Sequence, residues 1–157
     1  WRKPGTLGMP TFQNPGDAQI RRLLMEVRTI AVVGLSSKTS RPSFQVAQHM
    51  QRFGYRIIPV RPGVEAVLGE KAYASLAEIP ERPDLVDVFR APAHVDEIVD
   101  ACIRLGLPRL WLQEGVVNEA AASRARAAGM QVVMDRCVFR DYLRLFGPVP
   151  RAALPAV

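Results

Sequence analysis

Short runs of hydrophobic residues along the chain alternate with segments of helical periodicity. Five nearly continuous apolar runs have the length of strands, at residues 29–34, 55–60, 85–89, 109–112 and 130–134. Runs without strict alternation of polar and apolar positions are typical of strands buried on both faces of a parallel sheet. The pattern therefore predicts five buried strands.

The segments between these runs predict amphipathic helices. In the first segment, Ile20, Leu23, Leu24 and Val27 follow the i, i+3, i+4, i+7 spacing of one helix face. The predicted helices cover about 17–28, 43–53, 93–105, 119–128 and 136–146, with a brief helix at 76–79. The side chains expected to cap helix N-termini are those of Asp17, Ser43, Ser75, Asn118 and Asp135. The glycines expected to end helices are Gly54, Gly106, Gly129 and Gly147.

Strands that alternate with crossover helices predict an α/β fold. We expect a Rossmann-like, doubly wound, mainly parallel five-stranded sheet in a single domain. This domain is expected to cover residues 17–147. The proline-containing ends, 1–16 and 148–157, are expected to be tails that are poorly ordered or loosely docked.

Length and composition agree with one globular domain. The chain has 157 residues, of which 48% are hydrophobic and 23% charged. No apolar run approaches the ~20 residues needed to span a bilayer, so no membrane partner is expected. The two cysteines, Cys102 and Cys137, lie far apart without metal-ligand spacing. This usage argues against a disulfide framework or a metal site and favours a reducing compartment, so the cytoplasm is the expected location.

The balance of charges points to a small anionic ligand. The formal net charge is +6, and 18 of the 21 basic residues are arginine. They are scattered among acidic residues, whereas a nucleic-acid-binding surface is expected to cluster them with aromatic residues. We therefore expect no nucleic-acid partner, and a phosphate-rich small molecule suits the excess charge better.

Ligands of open parallel sheets bind outside the carboxyl ends of the strands, so the loops after the strands are the candidate site. The longest of these loops, residues 34–43, leads into a helix N-terminus. It offers hydroxyl groups and positive charge from Ser36, Ser37, Lys38, Thr39, Ser40 and Arg41. Free N–H groups and the helix dipole at such a position favour phosphate. The alternative is an ordinary polar turn in which Ser43 only caps the helix.

Two features of nucleotide-binding domains are missing from the sequence, and their absence narrows the choice of ligand. The loop has Gly34 as its only glycine, so it is neither a G-x-x-x-x-G-K-[ST] nor a G-x-G-x-x-G loop. The second strand ends at Val60 and Arg61, where NAD-binding domains carry an acidic residue for the ribose hydroxyl. An arginine there attracts an additional ribose phosphate instead. NADP and coenzyme A remain open, and NAD is disfavoured.

Seven short segments of the chain follow one another in a distinctive order and spacing. They are AVVGLS at 31–36, RPS at 41–43, PVRPG at 59–63, LGEKAY at 68–73, VDVFR at 86–90, WLQEGV at 111–116 and MDRC at 134–137. With them the chain resembles, from about Ile30 to Cys137, the small stand-alone CoA-binding proteins of bacteria. The fold of that family matches the CoA-binding domain of the succinyl-CoA synthetase alpha subunit.

The resemblance implies a site for coenzyme A or an acyl-CoA. The first loop would wrap the pyrophosphate through Gly34, Leu35, Ser36, Ser37, Lys38, Arg41 and Ser43. Val60, Arg61 and Pro62 would flank the nucleotide. Phe89, Arg90 and Pro92 would line the middle of the site, with Trp111 and Gln113 near the pantetheine arm. The family often carries asparagine where this chain has Arg61.

No residue set predicts catalysis. Asp87 is expected to be buried and bonded to a neighbouring hydroxyl or backbone group, and Glu114 to be a solvated turn residue. Cys137 lies where its thiol could form a mixed disulfide with coenzyme A, although a small buried side chain is the simpler interpretation. The sequence thus predicts a protein that binds coenzyme A or acyl-CoA without evident catalytic machinery.

Other functions remain open from the sequence. The alternatives are an NADP-dependent oxidoreductase, a subunit that partners the catalytic chain of an acyl-CoA ligase, and an interaction domain whose nucleotide pocket has decayed. A homodimer and a partner enzyme are both compatible with the sequence.

Overall fold

A parallel sheet forms the centre of the molecule. The computed structural model describes residues 11–154. The strands are β1 (Thr29–Val33), β2 (Arg56–Val60), β3 (Ala66–Val67), β4 (Glu70–Lys71), β5 (Leu85–Val88), β6 (Arg109–Leu112) and β7 (Gln131–Met134). Five of them pair in parallel in the order β2-β1-β5-β6-β7, and β3 pairs with β4 as a small antiparallel hairpin. The predicted five-stranded Rossmann-like sheet is confirmed.

Helices cover both faces of this sheet. They are α1 (Asp17–Glu26), α2 (Pro42–Arg52), α3 (Val95–Leu105), α4 (Glu119–Ala127) and α5 (Val138–Phe146), with short 3₁₀ helices at Leu76–Glu78, Pro92–His94 and Arg151–Ala153. The buried sides of α1, α2 and α5 pack on one face, and those of α3 and α4 on the other. The domain therefore has three layers.

Strand alternation divides the core between the two faces. In β1, Ile30 and Val32 point to the layer of α1, α2 and α5, while Ala31 and Val33 point to the layer of α3 and α4. All four side chains are buried. Burial on both faces explains why the strands read as continuous apolar runs.

The strand order reverses between β1 and β5. From β1 the chain crosses to β2 on one side, and from β5 it continues to β6 and β7 on the other. At such a switch point the two crossover connections leave in opposite directions, which opens a crevice outside the carboxyl ends of the two strands. The fold therefore puts the candidate loops around one crevice.

Some predicted helix caps are wrong. Asp17 is the first residue of α1, and the N-cap is Gly16. Ser75 precedes the short helix at Leu76–Glu78, but its side chain makes no capping hydrogen bond. The cap at Asn118 is confirmed, since its Oδ1 accepts a hydrogen bond from the Ala121 N–H at 3.0 Å.

The caps expected at Ser43 and Asp135 are also wrong, because both side chains bond elsewhere. The N-cap of α2 is Arg41, so Ser43 lies inside the helix. The N-cap of α5 is Cys137, two residues after Asp135. Ser43 bonds to Ser36 in the loop just before α2, and Asp135 bonds to Gly115 in the loop after β6. Both contacts belong to the site described below.

The parts of the predicted tails that the structure describes contact the domain. Asn14 pairs with the outer edge of β7: its Nδ2 donates to the Met134 carbonyl at 2.8 Å, and its Oδ1 accepts from the Met134 N–H at 2.7 Å. After α5, the Arg151 N–H donates to the Phe53 carbonyl at 2.7 Å. The remainder of the tails, 1–10 and 155–157, lies outside the described residues. None of the helices within 11–154 has the length and apolar composition to cross a bilayer.

Candidate functional site

Three strand ends meet closely at the switch point. The Gly34 N–H donates to the Val60 carbonyl at 2.9 Å, and the Phe89 N–H donates to the Val33 carbonyl at 2.9 Å. Gly34 has φ +86°, and a Cβ at this position would lie 2.6 Å from the Phe89 carbonyl oxygen. Only glycine fits so close an approach. This contact fixes the first loop directly against the end of β5.

Two serine hydroxyls hold the first loop in a tight curl. The Ser43 Oγ accepts a hydrogen bond from the Ser36 N–H at 3.0 Å, and the Ser36 Oγ accepts one from the Lys38 N–H at 3.0 Å. Ser36 and Ser43 are 7% and 6% exposed. The Arg41 N–H then donates to the Lys38 carbonyl at 3.1 Å. The buried serines shape the loop, and its cationic side chains stay exposed.

A first cavity of about 410 Å³ lies over the ends of β1, β2 and β5. Its lining consists of Gly34, Ser36, Lys38, Arg41, Pro42, Ser43, Arg61 and Phe89. Within residues 11–154, the charged groups of Lys38, Arg41 and Arg61 form no ion pair with a carboxylate. This cavity also receives the N-terminus of α2, so it combines unpaired cations with helix N–H groups, both of which attract phosphate.

A second cavity of about 450 Å³ continues over the ends of β5 and β6. It is lined by Pro42, Val46, Phe89, Arg90, Ala91, Pro92, Gln113, Glu114, Gly115, Val116, Cys137 and Arg140. Pro42 and Phe89 border both cavities, so the two are neighbours along one edge of the sheet. Apolar side chains form much of the second cavity, unlike the cationic first one.

The structure brings together ten of the fifteen predicted site residues in these cavities. They are Gly34, Ser36, Lys38, Arg41, Ser43, Arg61, Phe89, Arg90, Pro92 and Gln113. Leu35 and Val60 are buried in the core beneath them. Ser37 and Pro62 are exposed residues of the same loops and do not line either cavity.

Trp111 is placed in the core and away from both cavities. The side chain is fully buried, and its Nε1 donates to the Arg136 carbonyl at 2.8 Å. The alternation that puts Trp111 and Gln113 on the same strand face also directs both toward the segment before α5. There the Gln113 Oε1 accepts from the Val138 N–H at 3.1 Å. Trp111 thus supports the wall of the site from beneath.

Two carboxylates brace the loop between β7 and α5. Asp135, in a left-handed conformation with φ +61°, accepts a hydrogen bond from the Gly115 N–H at 2.8 Å. Asp141 accepts two hydrogen bonds of 2.7 Å from the Arg136 guanidinium, and this contact raises the pKa of Arg136. These contacts fix the start of α5 beside the second cavity.

Two residues on the α5 side of the second cavity are not among the fifteen predicted site residues. Cys137 and Arg140 line it, and Arg140 pairs with Glu114 at 2.5 Å. Glu114 is an exposed turn residue, as predicted, and it also pairs with Arg140. The segment MDRC at the end of the fifth strand was the available signal, because residues that follow a strand lie at the carboxyl edge.

Asp87 is a buried carboxyl group in the middle of the sheet. It is 2% exposed and lies in register with Val32 of β1 and Trp111 of β6. Its Oδ1 has no hydrogen-bond partner among the described residues, and burial raises its pKa well above the usual range. The predicted burial is confirmed, but the predicted bond to a neighbour is wrong for this oxygen.

The described part of the chain contains no group of three or more His, Cys, Asp or Glu side chains placed to hold a metal ion. The residues that line the crevice provide cations, N–H donors, an apolar wall and the Cys137 thiol. This combination suits a ligand with an anionic head and a long, less polar arm.

A family model and several known proteins match this chain. A family model described as "CoA binding domain" matches residues 28–142. The chain is 40% identical over 127 residues to the uncharacterized protein YneT of Bacillus subtilis (strain 168), which covers 81% of this chain and 94% of YneT.

A second relative is a much longer protein. The chain is 27% identical over 129 residues to the ADP-forming acetate–CoA ligase II of Archaeoglobus fulgidus, a match that covers 81% of this chain but 19% of the ligase. Among solved structures, a hypothetical protein from Pyrococcus horikoshii OT3 superimposes with a TM-score of 0.82 at 34% identity. That match covers 88% of this chain and 100% of the other.

Proposed function

This chain belongs to the CoA-binding domain family, and from that premise we propose that it binds coenzyme A or an acyl-CoA in the crevice at the switch point. The observation that carries the proposal is the division of this crevice into a cationic cavity and a more apolar one. Coenzyme A has the matching division, with phosphates at its nucleotide end and a long pantetheine arm at the other.

The first cavity receives the phosphates in this proposal. Lys38, Arg41 and Arg61 surround it without competing carboxylates, and the N-terminus of α2 adds N–H donors. Arginine binds phosphate through two parallel hydrogen bonds, which suits the pyrophosphate and the 3′-phosphate of coenzyme A. The position of Arg61 at the end of β2 makes it the candidate partner of the 3′-phosphate.

The second cavity receives the pantetheine arm. Val46, Phe89 and Val116 provide apolar contacts, and Gln113 provides an amide that can bond to the amide groups of the arm. From β2 to β7 the sheet spans four inter-strand steps, or about 19 Å across the strands. A ligand that uses both cavities must therefore be long, as coenzyme A is.

Calorimetric titration with coenzyme A, after removal of any copurified ligand, tests the proposal. Arg41→Ala and Arg61→Ala should each weaken binding roughly tenfold or more, because a hydrogen bond to a charged group contributes about 1.5–3 kcal/mol. Arg104→Ala is the matched control, since this exposed arginine lies in the last turn of α3, at the other end of the sheet.

Titration with dephospho-CoA, which lacks the 3′-phosphate, tests whether Arg61 binds that phosphate. If Arg61 binds the 3′-phosphate, Arg61→Ala should weaken binding of coenzyme A but leave binding of dephospho-CoA nearly unchanged, as a double-mutant cycle requires. A flat titration with the folded, stripped protein would refute the proposal. Saturable binding of NADPH without any response to coenzyme A would favour the oxidoreductase instead.

A further inference from the structure

The two outer edges of the sheet are covered in different ways. At the edge of β2, Tyr73 takes the place of a neighbouring strand: its N–H donates to the Pro59 carbonyl at 3.0 Å, and its carbonyl accepts from the Arg61 N–H at 2.8 Å. Pro59 itself has no N–H to offer there. At the opposite edge, β7 contains no proline, and three of its four residues are buried. An apolar edge strand pairs readily with another strand unless something covers it.

The backbone groups on the outer side of β7 belong to Val132 and Met134. The Asn14 Nδ2 donates to the Met134 carbonyl at 2.8 Å, and the Asn14 Oδ1 accepts from the Met134 N–H at 2.7 Å. Every second residue of a strand directs its N–H and C=O to the same edge, so those of Val132 also point outward. The Arg126 Nη2 donates to the Val132 carbonyl at 3.3 Å. Three of these four groups are therefore covered.

One segment before α1 provides or supports this cover, and we call residues 12–16 the edge strap. Phe12 is half-buried against the core on the side of α3 and α4, and the Arg126 guanidinium lies 4.0 Å from the centre of its ring. Gly16, at the other end of the edge strap, is the N-cap of α1 in the opposite helical layer. The edge strap therefore crosses the edge of β7 from one helical layer to the other.

The edge strap is held by few contacts. Asn14 is exposed, and its two hydrogen bonds to Met134 join neutral groups. A cavity of about 540 Å³ lies beside it, lined by residues of the edge strap, α1 and β7 that include Val132. Segments with few buried contacts open at a much lower free energy than the core does. Release of the edge strap therefore does not require the sheet to unfold.

We propose that the edge strap keeps β7 from pairing with the β7 of a second copy of this chain. Two copies of one strand can pair antiparallel about a twofold axis. The outward N–H and C=O groups of Val132 would then face those of Met134 in the second copy, which makes this edge complementary to itself. The two five-stranded sheets would join into one continuous sheet. The inference is independent of any ligand in the crevice.

Sedimentation velocity of the full chain at rising protein concentration tests the proposal. The double variant Phe12→Ala/Asn14→Ala removes both side chains that cover the edge. Its dissociation constant for self-association should be at least about tenfold lower than that of the original protein, because the competing hydrogen bonds of Asn14 are gone. Phe44→Ala/Asn118→Ala is the matched control, since it removes the same two side chains from α2 and from the start of α4.

Hydrogen exchange locates the contact. In the original protein the Met134 amide should exchange slowly, because Asn14 accepts its hydrogen bond. In the dilute double variant the amides of Val132 and Met134 should exchange fast, and both should become protected as the protein associates. Near-UV circular dichroism of the buried Trp111 reports whether the double variant is folded. If it is not, Asn14→Ala alone makes the same comparison, because it removes only an exposed amide.

Four results would overturn the proposal. The first is an original protein whose Val132 amide becomes protected with rising concentration, because the edge would then be open to a second copy. The second is a folded double variant that associates no more tightly than the original protein. The third is equal association of the control, which would attribute the effect to general loss of stability. The fourth is association that leaves the amides of β7 unprotected, since the contact would then lie elsewhere.

Discussion

Gly34 joins the first loop to the end of β5, and its substitution tests how tight this contact is. A methyl group there would lie 2.6 Å from the Phe89 carbonyl oxygen, and the backbone has φ +86°. Gly34→Ala should destabilise the protein by about 2–4 kcal/mol, from the left-handed backbone and the forced displacement of β5 together. Urea denaturation measures this loss.

Gly129→Ala is the matched control. Gly129 has φ +98° with nothing within 4 Å of the added carbon, so it carries the conformational cost without the clash. Gly129→Ala should therefore lower the free energy of unfolding by only about 1–2 kcal/mol. An equal loss at the two positions would contradict the tight contact between Gly34 and Phe89.

Asp87 should make stability depend on pH. Burial raises its pKa well above the usual range in the folded state, while the unfolded chain keeps an ordinary value. The stability that this group contributes is therefore fully present below about pH 4 and is lost as the pH rises toward its folded-state pKa. Asp87→Asn cannot ionise, so relative to it the original protein should lose up to about 1.4 kcal/mol per pH unit across that range.

Urea denaturation of both proteins between about pH 4 and pH 7 measures this difference. Glu65→Gln removes an exposed carboxylate and should show no such trend. A stability difference between Asp87→Asn and the original protein that stays constant with pH would show that Asp87 is ionised when folded, contrary to its burial. The burial of Asp87 was predictable from the apolar run around it. The missing hydrogen-bond partner of its Oδ1 was not, because the partners of a strand residue come from segments that are distant in sequence.

The strands and helices were predictable from local patterns, whereas the caps were not. Continuous apolar runs report burial on two faces, which depends only on the strand itself. A polar side chain near a helix N-terminus can accept a hydrogen bond from the first N–H groups of the helix or from an N–H group in a loop. Ser43 and Asp135 bond instead to Ser36 and Gly115, and the second contact crosses 20 residues of sequence. Periodicity does not report such contacts.

The bond between Ser43 and Ser36 gives a prediction about the first loop. Ser43→Ala removes the acceptor of the buried Ser36 N–H, so the protein should lose about 1–3 kcal/mol of stability. The loop should also loosen, which hydrogen exchange of the Ser36 amide would detect. Ser40→Ala is the control, because Ser40 is exposed in the same loop. Unchanged exchange at Ser36 would show that the serine pair does not hold the loop.

The position of the crevice was predictable for the whole molecule, but its full extent was not. Loops that follow parallel strands meet at one edge, so residues after β1, β2, β5 and β6 were placed together from the sequence. Cys137 and Arg140 at the start of α5 were not among the predicted site residues, because β7 lies two strands from the switch point. The start of α5 reaches the site only because Gln113 and Asp135 hold it against the loop after β6.

A ligand that spans the crevice should protect loops on both sides of the switch point at once. At about a hundred times the dissociation constant, coenzyme A should raise the free energy of unfolding by about 2.7 kcal/mol. Hydrogen exchange should slow in residues 34–43 and 61–63 and also in 113–116 and 137–140, but not in 106–108 or 128–130 at the opposite edge. Adenosine diphosphate lacks the arm, so it should protect the first two segments alone. Protection by coenzyme A that stops at the first cavity would mean that the arm leaves the crevice, and the second cavity would then have no part in binding.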